Sequence, residues 1–299
     1  MILAGRAEFI ERYFETVAEL LARGFAVVAL DWRGQGMSER QLGNSRKGHI
    51  DDFEIYERDL VALRDQILTP LCPKPWFALG HSMGAAVLLA QAHAGRSPFA
   101  RLVLTSPMID LYLLRFKAGA RLFIEGLDII GLGGSYIPGA SGRSIYLRPF
   151  AQQVLTSDRN APWRALSRRS VPPRNLPSAV PTVSWANAAL RLMRQFEKSR
   201  LCAQDADTGA RDCHRAPTGL SQRRRSKPLR AVSRPAISLP LPQARHDILM
   251  ERNVFRSQFW AAFDAFIPGA EDEIAKTLRA APPRRRRRGL LRWPLAARV

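Results

Sequence analysis

Cysteine is scarce: Cys72, Cys202 and Cys213 are the only three in 299 residues, and none has C-x-x-C spacing. That excludes a disulfide framework and a thiolate zinc site, and points to a reducing, cytoplasmic setting. No apolar run approaches the roughly 18 residues of a spanning helix. The N-terminus also lacks a basic stretch followed by an apolar core, so no cleavable signal peptide is expected. Acidic residues are absent from two long stretches, 159–174 and 276–299. With residues 200–235, where nine Lys/Arg face Asp205, Asp207 and Asp212, these stretches carry +5, +9 and +6. They account for the whole formal charge of +20. A neutral body with three basic segments is not a nucleic-acid-binding domain, and no specific nucleic acid is expected. The run Arg284–Arg288 reads as a solvated, disordered tail that leaves only peripheral contact with anionic membrane open.

What is present is ordinary for a globular chain: 46% apolar and 24% charged residues, enough for one large α/β domain or two small ones. The most informative stretch is Gly80-His81-Ser82-Met83-Gly84. It follows Pro75–Leu79, which reads as a buried strand, and precedes Ala85–Ala94, which reads as a helix. A G-x-S-x-G at that junction is a nucleophile elbow, whose tight turn lifts the Ser82 hydroxyl above the sheet. The helix behind it aims its first amides, that of Met83 included, at developing negative charge.

Glu8–Arg23 has helical spacing of apolar residues and stops at Gly24. Phe25–Leu30 is a continuous apolar run, as expected of a parallel strand buried on both faces. Asp52–Leu68 reads as an amphipathic helix and Arg101–Thr105 as a further strand. This alternation predicts an α/β fold, a mostly parallel sheet covered by helices on both faces. Leu111–Ile137 is apolar and irregular, and Thr182–Glu197 is strongly amphipathic. Helical periodicity returns at Asn253–Phe266.

Four blocks together carry a resemblance: Gly5-Arg6-Ala7-Glu8-Phe9-Ile10-Glu11-Arg12-Tyr13, Asp31-Trp32-Arg33-Gly34-Gln35-Gly36-Met37-Ser38, the elbow, and Ala244-Arg245-His246-Asp247-Ile248-Leu249. In this order the chain resembles α/β-hydrolases of the lysophospholipase and monoacylglycerol-lipase group, the set also called serine aminopeptidase-like. The resemblance implies a serine hydrolase acting on a small lipid or ester substrate, without cofactor or metal. Ser82 would be the nucleophile and His246 the general base. The amides of Met83 and Arg6 would form the oxyanion hole. His81 reads as a packing residue of the elbow, and Asp31, Arg33, Gly34 and Ser38 as a structural loop without chemistry. Five regions are implied: hydrolase core (1–110), a helical cap after the strand ending near Thr105 (111–197), a disrupted segment (198–235), the C-terminal part of the core (236–270) and the basic tail (271–299).

Two departures accompany the resemblance. Met1–Gly5 looks like the end of a strand already in progress, where relatives have two further strands ahead of it. The triad acid is expected after a late core strand, yet Cys202–Arg234 offers no buried strand. Asp212 is the nearest candidate, with Asp207, Asp205 and Asp110 behind it. Residues 159–178 and 199–235 are rich in Arg, Pro, Ala, Ser and Gly, as in a GC-rich gene read out of frame, and two compensated frameshifts would account for both. A catalytically impaired scaffold and a peptidase of the same fold therefore stand beside lipid ester hydrolysis as readings of the sequence.

Overall fold

The structure, a computed structural model, describes residues 1–109, 117–139, 155–160, 179–198 and 239–267. The segments 161–178 and 199–238, the tail beyond 267 and Asp110 lie outside the described residues. So do Asp205, Asp207 and Asp212, and with them the frameshift reading and the basic tail.

Four parallel strands form the central sheet: β1 (Ile2–Leu3), β2 (Ala29–Leu30), β4 (Phe77–His81) and β5 (Arg101–Thr105), in the order β2-β1-β4-β5. Ile2 and Leu3 pair with Ala29 and Leu30 on one side and with Leu79 and Gly80 on the other. β4 and β5 align over five residues, from Phe77 with Arg101 to His81 with Thr105. Only the end of the predicted Phe25–Leu30 strand is paired, because its neighbour β1 offers just two residues to hydrogen-bond. A separate two-stranded parallel ladder joins β3 (Lys47–Gly48) to β6 (Val180–Pro181).

Helices cover the sheet: α1 (Phe14–Ala22), α2 (Glu54–Leu63), α3 (Thr69–Leu71), α4 (Met83–His93), α5 (Lys117–Leu127), α6 (Val183–Lys198) and α7 (Asn253–Phe266). A π-helical segment, Arg64–Leu68, links α2 to α3. The helix predicted over Glu8–Arg23 starts later, with a single 3₁₀ turn at Ile10–Tyr13 before α1. Helix α4 is buried on every side from Met83 to Gln91, as an all-round apolar helix must be. It packs with Leu3, Leu79, Trp32 and Tyr56 into one core. α7 closes that core through Phe263, whose ring meets Phe25 edge-on at 6.0 Å. Its Arg256 reaches Glu15 of α1 at 2.8 Å.

After β5, α5 and α6 are tied together by Asp128. Its carboxylate accepts hydrogen bonds from Ser184 Oγ at 2.6 Å and Asn187 Nδ2 at 2.7 Å. Among the described residues, no helix is long and apolar enough to cross a membrane.

Candidate active site

The link between β4 and α4 is a single residue, Ser82, with φ 48° and ψ −107°. A non-glycine residue is uncommon in that half of backbone space and is held there only by its surroundings. The holding bonds are all made by the backbone. Ser82 N–H donates to the Thr105 carbonyl at 3.0 Å, and the Ser82 carbonyl accepts from the amides of Ala86 and Met108, each at 3.0 Å. The two flanking glycines answer a steric demand. A Cβ on Gly80 would lie 2.9 Å from the Ala85 backbone, and one on Gly84 only 2.4 Å from the Leu3 carbonyl oxygen. The turn is sharp because α4 starts almost in contact with β1.

The turn after β1 faces this elbow. Gly5 N–H donates to Glu8 Oε2 at 2.5 Å, and Ala7, at φ 61°, donates its amide to Gln35 Oε1. Arg6, proposed from the sequence for the oxyanion hole, sits between them, with its guanidinium 5.4 Å from the Trp185 ring of α6. The loop at residues 31–38 stitches the turn in place. Trp32 Nε1 donates to the Ala4 carbonyl at 2.8 Å, and Asp31 accepts from the amides of Ile10 (2.8 Å) and Met37 (2.9 Å). Buried Gln35 also points its side-chain nitrogen at Met83 Sδ, 3.9 Å away. One side chain thus spans the two segments whose amides the sequence nominated for the oxyanion hole. The sequence reading assigned Gln35 no role, since a loop glutamine carries no pattern of its own.

His246 reaches the elbow from the C-terminal side. Its ring stands 5.0 Å from that of His81, tilted by 60°, and its carbonyl accepts a hydrogen bond from Ser106 Oγ at 2.7 Å. Among the described residues, Nδ1 of His246 is buried and has no hydrogen-bond partner. The described residues leading to His246, 239–245, are irregular. Burial, reinforced by His81 and Arg12 and opposed by Glu8, lowers the imidazole from 6.5 to about 3. His81 is fully buried, hydrogen-bonded to Thr105 Oγ1 at 3.0 Å, and is likewise lowered, chiefly by burial.

Beneath these two rings lies a charged cluster that sequence reasoning missed. Buried Glu8 accepts from the Gly5 amide and the Tyr13 hydroxyl, each at 2.5 Å, and faces Arg12 Nη1 at 3.5 Å. Arg12 also forms an ion pair with Asp247, the buried neighbour of His246. Burial opposes the Glu8 charge, but Arg12, His81, Tyr13 and the Gly5 amide outweigh it and hold the carboxyl at about 2. The available signal was Glu8 and Arg12 four residues apart, with Glu11 between them. Nothing in the sequence pointed from them to Asp247.

A pH dependence follows. An unfolded histidine binds a proton near 6.5, whereas native His246 resists one until about 3. Its contribution to stability is complete above 6.5 and is lost as pH falls toward 3. Urea midpoints are expected to decline as pH falls below 6.5, with the buried His81 imidazole and, from nearer pH 8, the buried Met1 amino group adding to the fall because burial lowers both. His246→Gln should make that decline shallower, and an unchanged decline would acquit the imidazole.

A parallel sheet with a serine on a strained strand-to-helix turn, and a histidine beside that turn from near the C-terminal end, is the arrangement of the α/β-hydrolase fold. Residues 1–133 match the family profile described as Serine aminopeptidase, S33. The chain is 31% identical over 195 residues to lysophospholipase L2 of Escherichia coli strain K12, covering 64% of this chain and 55% of that protein. It is 26% identical over 200 residues to the probable lysophospholipase L2 of Haemophilus influenzae, covering 66% and 61%. Human monoglyceride lipase is 32% identical over 105 residues, 35% of this chain and 33% of that one. Over these parts of its length the chain is therefore similar to lysophospholipases and monoglyceride lipases. It spans 55–61% of the length of the two lysophospholipases it matches.

Proposed function

We propose that this chain is a serine hydrolase cleaving carboxylic esters of lipids, of the lysophospholipid or monoacylglycerol type, through an acyl-enzyme on Ser82. The observation that carries this reading is the elbow: Ser82 is held at φ 48° between β4 and α4 by backbone bonds and two close-packed glycines. A residue kept in so costly a conformation, at the carboxyl end of an interior strand, supports a catalytic role. The names of the relatives supply the substrate class, and ester rather than amide cleavage rests on them.

In this mechanism Ser82 Oγ attacks the ester carbonyl carbon while its proton passes to His246, and the carbonyl electrons move onto oxygen. The amides of Met83 and Arg6 stabilise that oxyanion. The tetrahedral adduct collapses with cleavage of the bond to the leaving alcohol, which takes the proton from His246. Water, activated by the same histidine, then releases the fatty acid and restores Ser82. Burial leaves His246 neutral, and a carboxylate partner would raise its basicity toward the working pH, where a general base acts best. The third triad member, for which Asp212 is the sequence candidate, lies outside the described residues. Without it the oxyanion hole and the Ser–His pair retain part of the acceleration. We infer that α5 and α6 belong to a cap over residues 111–197 that shields the acyl chain.

The test is activity-based labelling of the full chain with a fluorophosphonate, with the modified peptide mapped by mass. Fatty-acid release from lysophosphatidylcholine and from monoacylglycerol is measured alongside cleavage of an aminoacyl p-nitroanilide. Label on Ser82 with ester turnover is expected. Cleavage of the anilide alone would overturn the ester assignment, and absence of label with no turnover would overturn the hydrolase reading.

A further inference from the structure

We infer that Arg12 is a positioning residue that locks the His246 loop onto the elbow and onto the turn after β1. The inference rests on the hydrolase reading above. The Arg12 guanidinium joins its own segment to that of Asp247, and Glu8 carries the link on to the elbow. Glu8, on one side, accepts the Gly5 amide and so sets the turn in which Arg6 sits. It also faces His81 Nε2, the residue before the nucleophile, at 3.8 Å. Asp247, on the other side, is bonded directly to His246 in the chain and is buried against Arg12.

The ligand atoms of Glu8, His81 and Asp247 lie within 4.8 Å of one another, a spacing a metal ion would accept. Arg12 already supplies the positive charge there, since its guanidinium contacts both carboxylates. A planar fork can bridge two carboxylates at once, which a lysine ammonium cannot do with the same geometry.

The His246 loop is fixed on one side by Arg245, whose amide donates to Glu251 Oε1 at 2.9 Å and whose guanidinium donates to the Thr156 carbonyl at 3.0 Å. Its preceding residues 239–247 form no helix or strand, and Nδ1 of the imidazole has no partner among the described residues. What orients the ring is applied to its backbone neighbours: Ser106 to the His246 carbonyl, Leu155 to the Asp247 amide at 2.9 Å, and Arg12 to the Asp247 carboxylate. Of these, Arg12 leads on through the Glu8 carboxylate to the turn that holds Arg6. Small shifts of this loop misalign base and nucleophile, and a displacement of about 1 Å can cost about 100-fold in rate.

The experiment compares the full chain with Arg12→Lys, Arg12→Met, Asp247→Asn and the double variant Arg12→Met/Asp247→Leu. Circular dichroism first confirms the native fold. The fluorophosphonate labelling rate at Ser82 and kcat and KM on a p-nitrophenyl ester are then measured. Arg12→Met and Asp247→Asn are expected to slow labelling and kcat by about 10- to 100-fold, with KM within about twofold. Arg12→Lys should recover part of the loss. If single variants fail to fold, the double variant decides, because removing both charges leaves no stranded Asp247 or Arg12 in the interior. Folded variants that label at the wild-type rate would overturn the proposal while leaving the hydrolase intact. A wild type that never labels at Ser82 overturns the hydrolase reading itself, and this proposal with it.

Discussion

Ser82→Ala is expected to abolish fluorophosphonate labelling and to cut ester turnover by about 10,000- to 1,000,000-fold, while leaving the fold in place. The first half follows from the chemistry, because no other described side chain occupies a strand-to-helix elbow facing the His246 loop. The second half follows from how the elbow is built. Its fixing bonds run through the Ser82 amide to Thr105 and through the Ser82 carbonyl to Ala86 and Met108. None of them uses the hydroxyl. Alanine occupies the same strained φ at a similar cost, so the variant should melt close to the wild type. Turnover that survives in a folded Ser82→Ala chain would place the chemistry elsewhere and end the acyl-enzyme proposal.

Gly84→Ala is expected to have the opposite profile, a large loss of stability with activity lost as a consequence. The added Cβ would lie 2.4 Å from the Leu3 carbonyl oxygen, 2.7 Å from that of Ala4 and 2.8 Å from the Leu3 carbonyl carbon. These are backbone atoms of an interior strand and the turn after it, so no rotamer change relieves the overlap. Either α4 lifts from the sheet or β1 moves away from β2 and β4. Overpacking of this kind costs about 1–3 kcal/mol and sometimes more, against a total stability of roughly 5–15 kcal/mol for an ordinary domain. We expect the upper end, because both partners are buried main chain. Gly126→Ala is the matched control: nothing lies within 4 Å of its Cβ position in α5, so the same substitution should stabilise by up to about 1 kcal/mol. Equal urea midpoints for the two variants would refute the close-packing account of the elbow.

Both predictions concern the part of the molecule that was most legible in the sequence. A G-x-S-x-G between an apolar run and a helical run leaves the backbone little choice, and the turn formed where it was expected. Helix α7 coincides with the predicted Asn253–Phe266 because its aromatic residues recur at helical spacing. The strand Arg101–Thr105 was equally plain. Boundaries were lost where pairing partners, and not local preference, set the limit. Phe25–Leu30 is apolar throughout, but only Ala29 and Leu30 stand in register with β1, with the Val28 carbonyl accepting the Ile2 amide at 2.8 Å. Glu8–Arg23 has helical spacing, yet its first residues are spent on the turn after β1, where the Glu8 carboxylate binds Gly5 and Tyr13 instead of supporting a helix.

The site was half legible for a related reason. Ser82, Met83 and Arg6 belong to turns whose chemistry is written within a few residues. His246 was reached by its place in the chain order and by resemblance. Gln35, Glu8, Arg12 and Asp247 could not be nominated that way. A glutamine that spans Ala7 and Met83, or an arginine joined to an aspartate 235 positions away, leaves no periodic trace in either segment.

By itself, then, the sequence determined the class of sheet, the elbow and the serine at its apex, since each is the outcome of steric rules acting on neighbouring residues. Only the tertiary structure decided what surrounds that serine. It set which side chains take up the amides of the turn after β1, which histidine stands against His81, and which buried ion pair anchors the loop that carries it. Those depend on contacts between distant segments, fixed only when the whole core closes around them.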